Sequence, residues 1–408
     1  MSELYQLPDG WEWKKLNELT EVNIGKTPSR SKPEYFFGNN IWLSIRDLKG
    51  KYISDSNEKI TEEAIRSSNI KVVKKGTLLM SFKLTLGKTS FAECDLYTNE
   101  AIASLPIKKE YLLDKYFLEY AIGVIDLEKE VDNAVKGKTL NKEKIKNLDI
   151  PLPPLEEQKR IVQKLDALFE RIDKAIAILQ KNIAAADNFM NSVLNDVFSD
   201  LEQNHEKDNI GNILEVLTDY HSNGAYKTLK ANVELLDHED YAIMVRATDL
   251  ENNDFSKNIK YITKEAYNFM SKSKIFGGEI IVPKIGTIGN VYFMPCLNRP
   301  ASLAMNTFLL RCSDRVINKF LFLYLKSPRG HEAILSRANG AVTKTITKDA
   351  IKSIELPLPS GLMQKKTVSY LDEVSAKIEQ MKSAQQQKMQ NLLDLKSSIL
   401  DQAFHGKL

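Results

Sequence analysis

A chain that contains one long stretch of itself twice must build two equivalent structures, and this chain does so over most of its length. Ile150-Pro151-Leu152-Pro153-Pro154 opens a long amphipathic run, and Leu356-Pro357-Leu358-Pro359 opens another near the end. An offset of 206 residues carries Gln158 onto Gln364, Asp166 onto Asp372, Ile172 onto Ile378, Ser192-Val193-Leu194 onto Ser398-Ile399-Leu400 and Phe198 onto Phe404. Upstream of these runs the offset is 202: Asp47-Leu48 falls on Asp249-Leu250, Thr61 on Thr263, Ala64 on Ala266 and Gly76 on Gly278. The change of offset marks altered loop lengths. Solenoid periods are far shorter, so the repeat is a domain plus a helix, copied once. Duplication on this scale suggests one task performed at two places on a pseudo-symmetric partner.

The repeat divides the chain into segments 1–153, 154–200, 201–359 and 360–408. The first and third mix short apolar runs with turn residues. Ile41-Trp42-Leu43-Ser44-Ile45 reads as a strand, and Thr61-Glu62-Glu63-Ala64 as a short helix with Thr61 accepting from its first free amides. Gly76-Thr77-Leu78-Leu79-Met80 resumes strand character, and Gly278 through Val282 repeats it. Each of these segments is expected to be mixed α/β, with strands outnumbering long helices.

The second and fourth segments differ in kind. From Leu155, apolar residues fall at Ile161, Leu165, Leu168, Ile172, Ala175 and Leu179, alternating four and three apart. Leu371, Val374, Ile378, Met381, Leu392, Leu395 and Ile399 share one heptad phase. Such spacing makes a seam for a partner helix. Asn182, Gln385 and Lys388 would be polar seam residues. Because each helix leads from one globular half toward the other, the pair is expected to run antiparallel, the first from Leu155 to Phe198.

Chemistry is harder to find. Gly25-Lys26-Thr27, Gly87-Lys88-Thr89 and Gly137-Lys138-Thr139 imitate a phosphate-binding loop. That loop also needs a glycine five residues earlier, where this chain has Thr20, Phe82 and Asp132. Pro8-Asp9 with Glu12 and Lys14 imitates a nuclease motif, but its acids stand too close together for separate strands. His205, His221, His238, His331 and His405 are scattered, without the i, i+4 spacing of a helical metal pair. Cys94, Cys296 and Cys312 have no ligand spacing and read as reduced packing residues. No catalytic or metal site is expected. The N-terminus is polar from Ser2 to Gly10 and no apolar run approaches membrane length, which points to the cytoplasm.

Net charge is only +3 over 408 residues, so bulk composition does not announce a nucleic-acid binder. Cations must cluster to matter. They do so in turn-rich segments: Lys26, Arg30 and Lys32 in one loop, Lys83 and Lys88 around a hairpin, Lys227 and Lys230 in a second-half loop. Lys284 and Asn290 belong to the counterpart hairpin, and Arg299 follows it. Cations among amides and hydroxyls suit phosphate contact and base-edge reading, and these ten residues are the candidate DNA contacts.

Ile150-Pro151-Leu152-Pro153-Pro154-Leu155-Glu156-Glu157-Gln158-Lys159-Arg160 resembles the hinge and helix start of specificity (S) subunits of type I restriction-modification enzymes. Ser398 through Leu408 resembles that family's terminal signature. Gly10-Trp11, Gly25-Lys26-Thr27-Pro28, Trp42-Leu43, Asp47-Leu48 and Asn99-Glu100 resemble its target-recognition pattern. In the second half, Leu362-Met363-Gln364-Lys365-Lys366 departs from the Glu-Glu-Gln-Lys-Arg form. The resemblance implies a non-catalytic DNA-reading subunit with two target-recognition domains, each reading half of a bipartite site, and two helices as a ruler. It implies two methyltransferase (M) subunits docked on the helices to methylate adenine, and motor-nuclease (R) subunits for cleavage. It assigns S-adenosylmethionine, ATP and magnesium to those partners.

Overall fold

The computed structural model describes residues 5–127, 132–134, 137–340 and 343–408, with backbone only for 132–134 and 137–139. Ser2, Glu3 and Leu4 of the polar N-terminal stretch lie outside the described residues, as do the side chains of Lys138 and Thr139 in the third Gly-Lys-Thr tripeptide. The chain forms two compact units, 1–178 with 387–408, and 179–386.

In the first unit, strand Glu12–Lys15 pairs antiparallel with Asp149–Leu152, tying the start of the unit to the Pro-rich exit. A five-stranded sheet has the order Asn23–Ile24, Ile102–Leu105, Leu78–Ser81, Thr89–Ala92, Tyr52–Ile53. A three-stranded sheet places Asn40–Leu43 between Glu58–Ile60 and Tyr97–Thr98. The second unit repeats this plan. Lys207–Asn209 pairs with Glu355–Pro357. One four-stranded sheet runs Leu214–Asp219, Thr307–Cys312, Ile280–Pro283, Tyr292–Phe293, and another runs Lys260–Ile262, Ala242–Val245, Ala301–Leu303, Lys274–Ile275.

Local chemistry repeats with the strands. Thr61 Oγ1 accepts from the Ala64 amide and Thr263 Oγ1 from the Ala266 amide, each at 3.2 Å, so both short helices start where a side-chain cap supplies the missing acceptor. Asp47 accepts from the Ser44 amide at 2.7 Å, and Asp249 from the Arg246 amide at 2.8 Å.

The central helix spans Leu155–Asn204, six residues past the expected end, and the terminal helix spans Gly361–Phe404. Each unit takes the start of one and the end of the other. In the first unit, Leu165, Phe169 and Ile172 join the core with Phe117, Leu118 and Phe404. In the second, Leu194, Phe198 and Leu371 pack with Phe320 and Leu321. Phe404 meets Phe117 at 5.1 Å between ring centroids, and Phe198 meets Phe320 at 5.5 Å. All four rings are fully buried, so truncating any one to alanine should cost about 3–5 kcal/mol.

The helices run antiparallel. Asp173 pairs with Lys396 at 2.8 Å in the first unit, and Asp187 with Lys382 at 2.9 Å in the second. The partner number falls by two heptads as the first rises by two. Leu165, Ile172, Leu371 and Ile378 are buried; Leu168, Leu179, Val374, Leu392 and Ile399 are half-buried. Part of the expected seam is displaced. Met381 and Leu395 are exposed, as are Asn182 and Lys388, while Ile183, Lys382, Met389 and Lys396 turn inward one residue later. A straight helix drifts against a strict 3.5-residue repeat. Here the drift also lets Lys382 and Lys396 lay their stems along the interface and reach carboxylates on the facing helix.

The three cysteines are unbridged. Cys312 is a packing residue whose thiol is pushed up to about 12 by burial. Cys296 is exposed, contrary to the packing expectation, because it lies on the loop beyond Phe293.

Candidate nucleic-acid interface

In the first unit, the turn Asn99–Ala101 brings two cationic loops together. The Lys26 amide donates to Thr98 O at 2.9 Å, the Gly25 amide to Ile102 O at 3.2 Å, and the Phe82 amide to Ala101 O at 3.1 Å. Loop 25–32 therefore leaves on one side of that turn and hairpin 82–88 on the other. Gly25 is required by close approach: a Cβ there would lie 2.2 Å from Thr98 O. Gly87 is required by its φ of +73°. Two of the three Gly-Lys-Thr tripeptides thus have backbone reasons unrelated to a phosphate cradle.

The second unit uses the same arrangement with different chemistry. The Lys284 amide donates to Asn306 O at 2.8 Å, setting the counterpart hairpin beside the turn before strand Thr307–Cys312. Lys284 Nζ, however, lies 2.6 Å from the buried carboxylate of Asp219, which Lys348 reaches at 3.0 Å and Ser222 Oγ at 2.6 Å. Burial alone would raise the Asp219 pKa. Hydrogen bonds from Lys284, Ser222 and Lys348 outweigh it and hold the carboxyl well below the usual range.

The ten candidate residues separate by partner. Arg30 makes a two-pronged ion pair with Glu58 (2.5 and 2.8 Å), with its guanidinium 4.1 Å from the Phe36 ring centroid and 5.3 Å from that of Trp42. Lys32 donates to the Tyr35 hydroxyl at 3.1 Å. Arg299 pairs with Glu239 at 2.8 Å, donates to Asp240 O and lies over Tyr261. Asn290 donates to the Tyr292 hydroxyl at 3.3 Å. Among the described residues, the Lys26 ammonium makes a long contact to Ser68 O at 3.4 Å, and Lys83 lies near the Phe82 ring. Lys88, Lys227 and Lys230 are exposed, with no acidic partner among the described residues. Lys227 and Lys230 are not in a loop: they lie on helix Tyr226–Asn232, which folds because Leu229 and Val233 bury one face.

Sequence reading passed over Lys272, Lys274 and Arg311, which line a groove of about 480 Å³ with the exposed ring of Phe276. The alternation Ser271-Lys272-Ser273-Lys274 was the available signal: Ser273 is buried between exposed Lys272, in the turn, and half-buried Lys274, which opens strand Lys274–Ile275. Among the described residues, no group of histidine, cysteine, aspartate and glutamate could hold a metal ion, and no helix is long and apolar enough to cross a membrane.

A family model described as the type I restriction modification DNA specificity domain matches the chain twice, over residues 8–182 and 204–390. The chain belongs to this family.

It is a specificity subunit, the non-catalytic component that recognises the DNA target. The MjaIX specificity subunit of Methanocaldococcus jannaschii is 30% identical over 189 residues, 44% of this chain and 43% of that protein. A putative MjaX specificity subunit from the same organism is 24% identical, over 96% of this chain and 94% of its own length. A chain solved in a study of complex assembly and conformational transition of the type I R-M system shares the fold, with a TM-score of 0.75, 19% identity, and coverage of 99% of this chain and all of that one. The two family matches take in both cationic turn regions of this specificity subunit.

Proposed function

We propose that this specificity subunit reads a bipartite DNA target, one half through the loops of each unit. The repeated placement of a hairpin beside the turn before an inner strand carries this reading. Lys26, Lys83 and Lys88 would face the first half-site, and Lys227 and Lys230 the second. Arg30, Lys32, Lys284, Asn290 and Arg299 would shape the loops that present them. Phosphate contacts would fix register, and amides and side chains in the same loops would read base edges.

The two long helices would set the unspecified spacer and dock two methyltransferase subunits, which methylate adenine in each half. Motor-nuclease subunits would join for cleavage. S-adenosylmethionine, ATP and magnesium would be bound by those partners, and the complex would work in the cytoplasm. Segments 1–153 and 201–359 would be the recognition domains, and 154–200 and 360–408 the spacer helices.

Mapping methylated adenines in cells that express the complete complex tests this reading. Two short conserved half-sites around a fixed run of unspecified bases are expected. One contiguous motif would count against it.

A further inference from the structure

Leu84, at the tip of hairpin 82–88, adopts a φ of +62° and is 72% exposed. The Thr85 amide donates to Lys83 O at 2.7 Å, closing a three-residue turn around it. Positive φ at the centre of such a turn is the rare, strained form, and a branched residue there is a true outlier. The position 202 residues later is Gly286, at φ +89°, where glycine accepts this conformation freely. The first unit therefore holds a leucine where its own repeat uses glycine.

Among the described residues nothing compensates for that choice, because the side chain is largely exposed. The loop beneath it is nonetheless fixed. Ser81 Oγ donates to Thr85 O at 2.5 Å and accepts from the Lys88 amide at 3.0 Å, and the Gly87 amide donates to Ser81 O at 2.9 Å. A rigid hairpin thus presents one strained, exposed apolar tip flanked by the cations Lys83 and Lys88. Strain kept at an exposed position points to use by a ligand, and the flanking cations select an anionic one.

We propose that Leu84 makes a direct apolar contact with DNA in the half-site read by the first unit and contributes to its sequence preference. The inference rests on the DNA-reading function above. Apolar side chains discriminate bases by packing on a thymine methyl or by wedging at a flexible step. Lys83 and Lys88 would hold the flanking phosphates.

The experiment compares wild type, Leu84→Gly and Lys88→Ala, each co-expressed with its methyltransferase subunits. The probes are the methylome and, in vitro, a duplex carrying the wild-type motif. Glycine keeps the turn and relieves its strain, so recovery of the complex should not fall. With Leu84→Gly, one position of one half-site should relax, the other half-site should stay unchanged, and affinity should fall about 5- to 50-fold with the same salt slope. Lys88→Ala should instead lower the salt slope by about one without changing the motif. An unchanged motif and affinity for Leu84→Gly overturns the proposal. So does an unchanged motif with reduced recovery of methyltransferase subunits, which would assign the tip to a protein partner. A wild-type complex with no sequence-selective binding would defeat the DNA-reading function itself, separately from Leu84.

Discussion

Gln158 and Gln364, 206 residues apart in sequence, make the same three hydrogen bonds in their respective units. Gln158 Nε2 donates to Pro153 O (2.9 Å) and Leu112 O (2.8 Å), while its Oε1 accepts from the Asp114 amide (2.8 Å). Gln364 Nε2 donates to Pro359 O (3.0 Å) and Arg315 O (3.0 Å), and its Oε1 accepts from the Ile317 amide (3.0 Å). Both side chains are buried. Each clamps the first turn of a long helix to the Pro-rich strand exit before it and to the segment leading into a short helix of its own unit. Only an amide supplies two donors and an acceptor there.

Gln158→Ala or Gln364→Ala should therefore destabilise its unit by about 2–3 kcal/mol, because each strands one buried and two part-buried backbone groups. Glutamate should be no better, since its carboxylate would face two carbonyl oxygens. Urea unfolding of the subunit within its complex tests this. A loss below about 1 kcal/mol would mean that water replaces the clamp.

Asp219→Asn should remove the counter-charge of Lys284 and Lys348 at a site where the carboxylate is buried, at a cost of about 2 kcal/mol. The pH dependence follows from the depressed carboxyl pKa. Its stabilisation is fully present above the unfolded value of about 4 and is lost as pH falls toward the lower folded value. Melting of the wild type should thus show an acid-sensitive component in that window which Asp219→Asn lacks. Parallel pH curves for the two proteins would exclude it.

Free and paired cations should behave differently. Lys88→Ala and Lys227→Ala should each lower the salt slope of DNA binding by about one and leave stability unchanged. Lys284→Ala should leave the slope alone and destabilise the second unit, since Asp219 loses a partner. A slope change for Lys284→Ala would place that lysine at the DNA after all.

Exchanging residues 208–355, two of which (341 and 342) lie outside the described residues, for the corresponding part of another specificity subunit should change one half-site only. Each unit has its own sheets and its own Pro-rich exit strand. Methylation mapping decides the matter: simultaneous change in both halves would mean that the units do not read independently.

Lengthening both long helices by one heptad at facing levels should keep the seam phase and add roughly 10 Å, about three base pairs of rise. The spacer should then grow by about three base pairs with both half-sites unchanged, or activity should fall for want of matching DNA phase. A heptad in one helix alone should break the register fixed by Asp173–Lys396 and Asp187–Lys382 and destabilise the subunit. An active double-insertion variant that keeps the original spacer would show that the helices are not the ruler.

The sequence by itself determined the duplication, the two long helices and the short helices that start at Thr61 and Thr263. Each rests on local spacing, capping or direct repetition, and needs no knowledge of distant neighbours. Tertiary structure decided which cations remain free. Glu58 is 28 residues from Arg30, and Asp219 is 129 residues from Lys348, so only the folded chain brings these charges together. It also turned the segment holding Lys227 and Lys230 into a helix, because Leu229 and Val233 found a core. In the long helices it moved part of the seam by one residue. Heptad spacing specifies a stripe, but which edge faces inward depends on what each unit packs against it, including carboxylates that only long lysine side chains reach.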